Sequence, residues 1–196
     1  MRIVAGIFRG RKLASPPEGV RPTSDRVREA LFGRLGDLSG ADVLDLFAGT
    51  GALGLEALSR GAKGLVCVDQ ASGSIATVEK NAGRLGLGEE VRCLRTTAEA
   101  AIRRLGREGC RFDLVFLDPP YAEIASVPET LRLLQGAGLL NPAAIVVVEG
   151  PRNPALELPV VGFEVEDVRR YGDTVVTWFY AAEDRSILGG NQDHEH

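Results

Sequence analysis

Asp118-Pro119-Pro120-Tyr121 closes a run of strand-forming residues, Phe112-Asp113-Leu114-Val115-Phe116-Leu117. Two prolines explain why the strand stops, because each fixes φ and lacks an N–H for the ladder. They do not explain an acid before them and a ring after them. One chemistry uses all four residues. The exocyclic amino group of an aromatic base is a poor nucleophile, since its lone pair is delocalised into the ring. Two acceptors placed out of the ring plane take its N–H bonds and draw the nitrogen towards tetrahedral geometry. The Asp118 carboxylate is one such acceptor and the Pro119 main-chain carbonyl the other. The prolines keep that carbonyl aimed, and Tyr121 offers a face on which an extruded base can stack. Proximity and electrostatic preorganisation would then carry the rate, with Asp118 also stabilising positive charge on the amine. The plainer alternative is a strand-ending turn with a helix-capping acid.

The residues upstream bear on that choice. Asp45-Leu46-Phe47-Ala48-Gly49-Thr50-Gly51-Ala52-Leu53-Gly54 holds a G-x-G-x-x-G pattern between a predicted strand and a predicted helix, as a nucleotide site requires. Asp69 ends the next strand, 18 residues after Gly51, where an acid can hold the hydroxyls of a ribose. The glycines could also serve only a tight turn and close helix packing. NAD and S-adenosylmethionine both present an adenosine to such a loop. A dinucleotide needs a helix N-terminus for its pyrophosphate. S-adenosylmethionine instead carries a sulfonium, an amine and a carboxylate, and Asp45 suits its cationic side. The GK[ST] of a phosphate-binding loop is absent, which disfavours nucleotide triphosphate hydrolysis.

These residues need a scaffold that brings strand ends together. From Ala41 onward strand and helix patterns alternate. Predicted strands are Val43–Phe47, Gly64–Asp69, Val91–Leu94, Phe112–Leu117 and Ala144–Glu149. Between them lie a helix from Ala52 to Arg60 and helices with apolar stripes Ile75/Val78/Ala82/Leu85, Ala98/Ile102/Leu105 and Val127/Leu131/Leu134. This order predicts an α/β fold: a Rossmann-like, mostly parallel sheet covered on both faces. Ligands of such sheets bind at the carboxyl ends of the strands, which directs Asp45, Asp69 and Asp118 into one crevice. Phe163–Tyr171 and Thr174–Ala181, with Gly172-Asp173 between them, predict a C-terminal antiparallel hairpin. Residues 2–14 predict a small N-terminal β-hairpin. Arg21-Pro22-Thr23-Ser24-Asp25 opens a helix with Val27, Ala30, Leu31 and Leu35 on one side.

The organisation expected is an N-terminal basic extension over 1–40, a catalytic domain over 41–182 and a polar tail over 183–196. The chain of 196 residues has a net charge of −4, unevenly spread. Met1 to Gly40 holds eight arginines and lysines against four acids, leaving −8 for the rest. A basic arm on an acidic body suits a nucleic-acid partner, although a solvated surface also explains it. Cys67, Cys93 and Cys110 are far apart, with no C-x-x-C pair, so neither zinc nor a disulfide framework is expected. His194 and His196 lie in the polar tail, and no metal site is expected. No apolar run is long enough to span a bilayer and the N-terminus lacks a secretory pattern, so a cytoplasmic location is expected.

At this point the sequence resembles the RsmD type of class I S-adenosylmethionine-dependent methyltransferases, from Arg2 to about Ala181. The specific blocks are Arg2-Ile3-Val4-Ala5-Gly6 with Arg9-Gly10-Arg11-Lys12-Leu13, Arg21-Pro22-Thr23-Ser24-Asp25-Arg26-Val27-Arg28-Glu29-Ala30-Leu31-Phe32, the loop from Asp45 to Ala62, and Asp118-Pro119-Pro120-Tyr121. Members methylate N2 of a guanine in 16S rRNA of the small ribosomal subunit and are thought to act on RNA already bound by ribosomal proteins. The resemblance implies that Asp45, Phe47, Ala48, Gly49 and Gly51 line the methionine side of S-adenosylmethionine and that Asp69, with Gln70 beside it, holds the ribose. It implies that Asp118, Pro119, Pro120 and Tyr121 are catalytic, with Asp118 also touching the cofactor. Thr97-Ala98 stands where family members usually place Asp or Asn before Ala against the adenine. Arg9, Arg11, Lys12, Arg21 and Arg26 would meet RNA phosphates. An adenine or glutamine amine as acceptor, a non-catalytic assembly factor with this fold, and a nicotinamide-dependent dehydrogenase are the other readings. The last leaves Asp118-Pro119-Pro120-Tyr121 unexplained.

Overall fold

Residues 1–14 and 25–181 are described by a computed structural model of the chain. After the first helix, α1 (Asp25–Leu35), strands and helices alternate as β1 (Asp42–Asp45), α2 (Ala52–Ser59), β2 (Gly64–Asp69), α3 (Ser72–Leu85), β3 (Val91–Arg95), α4 (Ala98–Arg107) and β4 (Phe112–Leu117). A 3-10 turn over Tyr121–Ser126 leads into α5 (Val127–Gly136), followed by β5 (Leu140–Pro151), β6 (Phe163–Tyr171) and β7 (Thr174–Ala181). The strands form one seven-stranded sheet in the order β3-β2-β1-β4-β5-β7-β6. The first five pair in parallel; β7 pairs antiparallel with both β5 and β6. The Rossmann-like expectation and its antiparallel end are therefore both observed. The order in which the chain adds strands reverses between β1 and β4, while the two run parallel, and this opens a crevice above their carboxyl ends.

Two apolar layers hold the sheet. One lies under α1, α2 and α3 and includes Leu31, Phe32, Leu55, Val78 and Phe116; the other lies under α4 and α5 and includes Leu44, Ile102, Leu105, Leu131 and Leu134. Each such side chain, fully withdrawn from water, contributes about 1.5–3 kcal/mol. Ile3 and Leu13 of the N-terminal arm belong to the first layer.

Three local expectations need correction. The N-terminal hairpin is reduced to one antiparallel bridge, Arg2 to Lys12, because the chain turns through Ala5–Gly10 instead of pairing there. The buried side of α1 carries Arg28 and Phe32 as well as Val27, Leu31 and Leu35, while Ala30 is only half-buried. β5 extends beyond the apolar run at both ends; Ala143, at φ 62, bends it where the β4 pairing shifts register. Residues 15–24, with Arg21, and residues 182–196, with both histidines, lie outside the described residues. No described helix is long and apolar enough to cross a membrane.

Candidate active site

The carboxyl ends of β1, β2, β4 and β5 open into a cleft of about 890 Å³, within the range that holds a nucleoside-sized ligand. Asp45, Phe47, Ala48, Gly49, Asp69, Gln70, Ala98, Asp118, Pro119, Pro120 and Tyr121 all border it. Residues separated by 76 positions in sequence thus meet at one sheet edge, because β1 and β4 are neighbours.

Two expected residues stand elsewhere. Gly51 lies behind the loop: it is the N-cap of α2 at φ 77, and a Cβ there would press on Val78 and Leu55. Its work is the turn that lets α2 begin. Thr97 does not border the cleft, whereas Thr96 and Ala98 do. Its hydroxyl accepts the Ala100 N–H at 3.2 Å and caps α4.

Asp45 is 1% exposed, and its Oδ1 has no hydrogen-bond partner among the described residues. Burial pushes its carboxyl up to about 7, against the pull of main-chain hydrogen bonds from Gly54 and Phe47; nearby Asp69 adds to the rise. A buried acceptor on a cleft wall suits a cationic amine, whose arrival would favour the ionised form. Asp69 accepts the Gly49 N–H at 3.0 Å and the Ala71 N–H at 2.8 Å, tying the glycine loop to the start of α3. These observations fit the amine and ribose of S-adenosylmethionine.

At the other wall, β4 ends and Asp118 follows, half-buried; Pro119 is buried and Pro120 exposed. Pro120 accepts the Glu123 N–H at 2.7 Å, which starts the 3-10 turn and presents Tyr121, half-exposed, at the rim. Sequence reasoning did not place Glu149, Tyr171 or Thr174 on this cleft. An acid ending the apolar run Ala144–Val148 was the available signal for Glu149. Gly172-Asp173 marked the tip of the β6–β7 hairpin, but nothing local placed that tip on the cleft.

The N-terminal arm is fastened beside the cleft, where Met1 and Val27 form part of the wall. Val4 N–H and Ala5 N–H donate to the two oxygens of buried Glu56 at 2.7 and 2.9 Å. Phe8 N–H donates to Ser59 Oγ, and Ile7 N–H to the Ser59 carbonyl. Gly6 passes so close that a Cβ would sit 1.8 Å from that carbonyl, so no other residue fits. Asn81 joins the arm to the glycine loop: it accepts the Ala14 N–H at 2.7 Å and donates to the Thr50 carbonyl at 2.9 Å. Arg9, Arg11, Lys12 and Arg26 are exposed, and Arg11 is steadied by a 2.9 Å hydrogen bond to the Arg84 carbonyl.

Known proteins are similar to this chain. A family model described as Conserved hypothetical protein 95 matches residues 1–180. Ribosomal RNA small subunit methyltransferase D of Escherichia coli K12 is 40% identical over 151 residues, covering 76% of this chain and 74% of that protein. Its namesake in Haemophilus influenzae is 35% identical over 161 residues, covering 81% and 83%. Among solved structures, the yhhF protein of Escherichia coli superposes with a TM-score of 0.81 at 34% identity, covering 92% of this chain and 97% of that one. With a family match over nearly its whole length and these relatives on either side, the chain belongs to the ribosomal RNA small subunit methyltransferase D (RsmD) family.

Proposed function

We propose that the protein transfers a methyl group from S-adenosylmethionine to the N2 amine of a guanine in 16S rRNA, within an assembled or assembling small subunit in the cytoplasm. The observation that carries this is the meeting of Asp118-Pro119-Pro120-Tyr121 with Asp45 and the glycine loop in one cleft, beside an arginine-bearing arm. S-adenosylmethionine supplies a methyl group on a sulfonium. Asp45 receives the amine of its methionine part, Asp69 and Gln70 the ribose, and the Thr96–Ala98 segment the adenine; Thr97 contributes by holding that segment rather than by a side-chain contact. Asp118 and the Pro119 carbonyl accept the two N–H bonds of the guanine amine and localise its lone pair. Tyr121 stacks on the extruded base. Asp118 stabilises the positive charge that develops on nitrogen, and the proton leaves to it or to water. Residues 1–40 form the RNA-contacting extension, with Arg9, Arg11, Lys12, Arg21 and Arg26 on phosphates.

The test is transfer from labelled S-adenosylmethionine to small subunits lacking the modification, to naked 16S RNA and to DNA, followed by digestion to nucleosides. Label in N2-methylguanosine is expected, with Asp118→Ala reducing the rate by about 10²–10³-fold while substantial RNA binding persists. Label in another base would move the activity to another amine. No label in any acceptor, from protein that binds the cofactor, would overturn the proposal, and undiminished activity in Asp118→Ala would remove the amine-polarising role.

A further inference from the structure

Three carboxylates share one side of the sheet. Val43, Phe116, Val147 and Val176 point into the layer under α1, α2 and α3. Side chains alternate along a strand, so residues two positions on from the first three, Asp45, Asp118 and Glu149, continue on that side. All three border the cleft. β1, β4 and β5 are successive strands, and Leu117 pairs with Val148 at the last rung. Asp118 and Glu149 are the residues that follow this rung on the two neighbouring chains, Asp118 just past the end of β4 and Glu149 still within β5. Glu149 is 7% exposed, unlike Glu123 and Asp173, which stand exposed at the rim.

From this juxtaposition we infer that Glu149 is a specificity-determining residue that accepts the N1–H of the target guanine while Asp118 holds its N2 amine. The inference rests on the function proposed above and extends it to base choice. The Watson–Crick edge of guanine presents two neighbouring donors, N1–H and the N2 amine. Two acceptors on adjacent strands match that pair. Adenine presents a lone pair at N1, which would face the carboxylate, and its amine sits at C6 instead. With Glu149 only 7% exposed, such a mismatch is poorly relieved by solvent, so the wrong base is rejected by an unmade hydrogen bond and by repulsion. Tyr121 can stack on any base; the buried acid supplies the discrimination that stacking lacks.

The experiment uses small subunits reconstituted with 16S RNA in which the target guanine is replaced by 2-aminopurine, which keeps the C2 amine but has no N1–H. The wild-type protein is expected to methylate guanine on the order of 10²-fold faster than 2-aminopurine. Glu149→Gln should slow guanine and shrink that ratio to below about tenfold, because an amide can donate to a bare N1. Cofactor affinity should be unchanged in the variant. Equal wild-type rates on the two bases would overturn the inference without recourse to any variant, as would an unaltered ratio in Glu149→Gln. Absence of methylation on guanine itself, from wild-type protein that binds cofactor, would instead bring down the proposed function and this inference with it.

Discussion

The face of the sheet under α4 and α5 buries Leu44, Ile102, Leu105, Val115, Leu131 and Leu134, with Thr130 and Thr177 as its modest polar content. The face under α1, α2 and α3 buries Arg28, Asp45, Glu56, Ser59, Asn81 and Glu149 among its apolar side chains. Buried polar groups are costly unless paired, so their placement shows where something must be held. Glu56 and Ser59 hold main-chain N–H groups of the arm, and Asn81 holds Ala14 and the glycine loop together. Asp45 and Glu149 look into the cleft. One face is thus scaffold. The other carries the cleft and the segment beside it.

The sharpest way to break this contrast is to compare a deletion on each face. Glu56→Ala removes the acceptor of two arm amides and the partner of Arg60 at 2.9 Å, and leaves Arg28 buried beside a void. Breaking a buried charged cluster from one side costs about 3–5 kcal/mol. Leu105→Ala on the opposite face costs about 2–5 kcal/mol through cavity formation. Denaturant unfolding should show both losses. Amide exchange should separate them: in Glu56→Ala the Val4 and Ala5 amides should exchange faster than global unfolding explains, whereas in Leu105→Ala they should follow global stability. Protected arm amides in Glu56→Ala would mean that the arm is held by its apolar anchors alone.

This contrast also marks what could be read from the residues in order. The glycine loop, Asp118-Pro119-Pro120-Tyr121 and the β6–β7 hairpin were legible because each is a contiguous signal at a strand end. The hairpin bounds, Phe163–Tyr171 and Thr174–Ala181, are those observed. Glu56, Asn81 and Arg28 were not legible. Each is one polar residue within a helix, and the arm main-chain groups that pair with it lie 26 to 67 positions away. Glu149 follows a continuous apolar run, which hides the two-residue alternation that would have assigned its face. Thr97 was read through its neighbours in the family pattern, when a threonine before a helix is also a cap signal.

A smaller effect tests whether the polar face is tuned for a cationic ligand. With Asp45 raised from its ordinary 3.8 to about 7 by burial, the folded protein keeps a proton that the unfolded chain releases. Stability from this group therefore falls as pH rises from about 4 to about 7 and levels off above that. Ligand binding runs the other way. An ammonium group favours ionised Asp45, so S-adenosylhomocysteine should bind more weakly as pH drops below about 7, releasing up to about one proton on binding at pH 6. Calorimetry in two buffers of different ionisation enthalpy measures that release. Asp45→Asn should abolish it and weaken binding at pH 8. Proton release that persists in Asp45→Asn would assign the linkage to another group.

The smallest expected effect concerns the outer surface of the same face. Arg9 and Arg11 are exposed on the arm, and the arm is locked to α2 and α3 rather than free to fold back. Arg103 is also exposed, on α4 of the scaffold face, where it pairs with Glu99 at 2.9 Å. A guanidinium that neutralises a phosphate releases counterions, so removing it lowers the salt dependence of RNA affinity by about 0.7–0.9 in log–log slope. Arg9→Ala combined with Arg11→Ala should therefore lower the slope by about 1.4–1.8, while Arg103→Ala should leave it unchanged. Binding to small-subunit RNA at four or five salt concentrations resolves that difference. A reduced slope for Arg103→Ala would extend the RNA interface around to the scaffold face, and an unchanged slope for the arm double variant would take the arm out of the interface. In the second case the clamp formed by Glu56, Ser59 and Asn81 would serve to wall the cleft with Met1 and Val27, not to present arginines to phosphate.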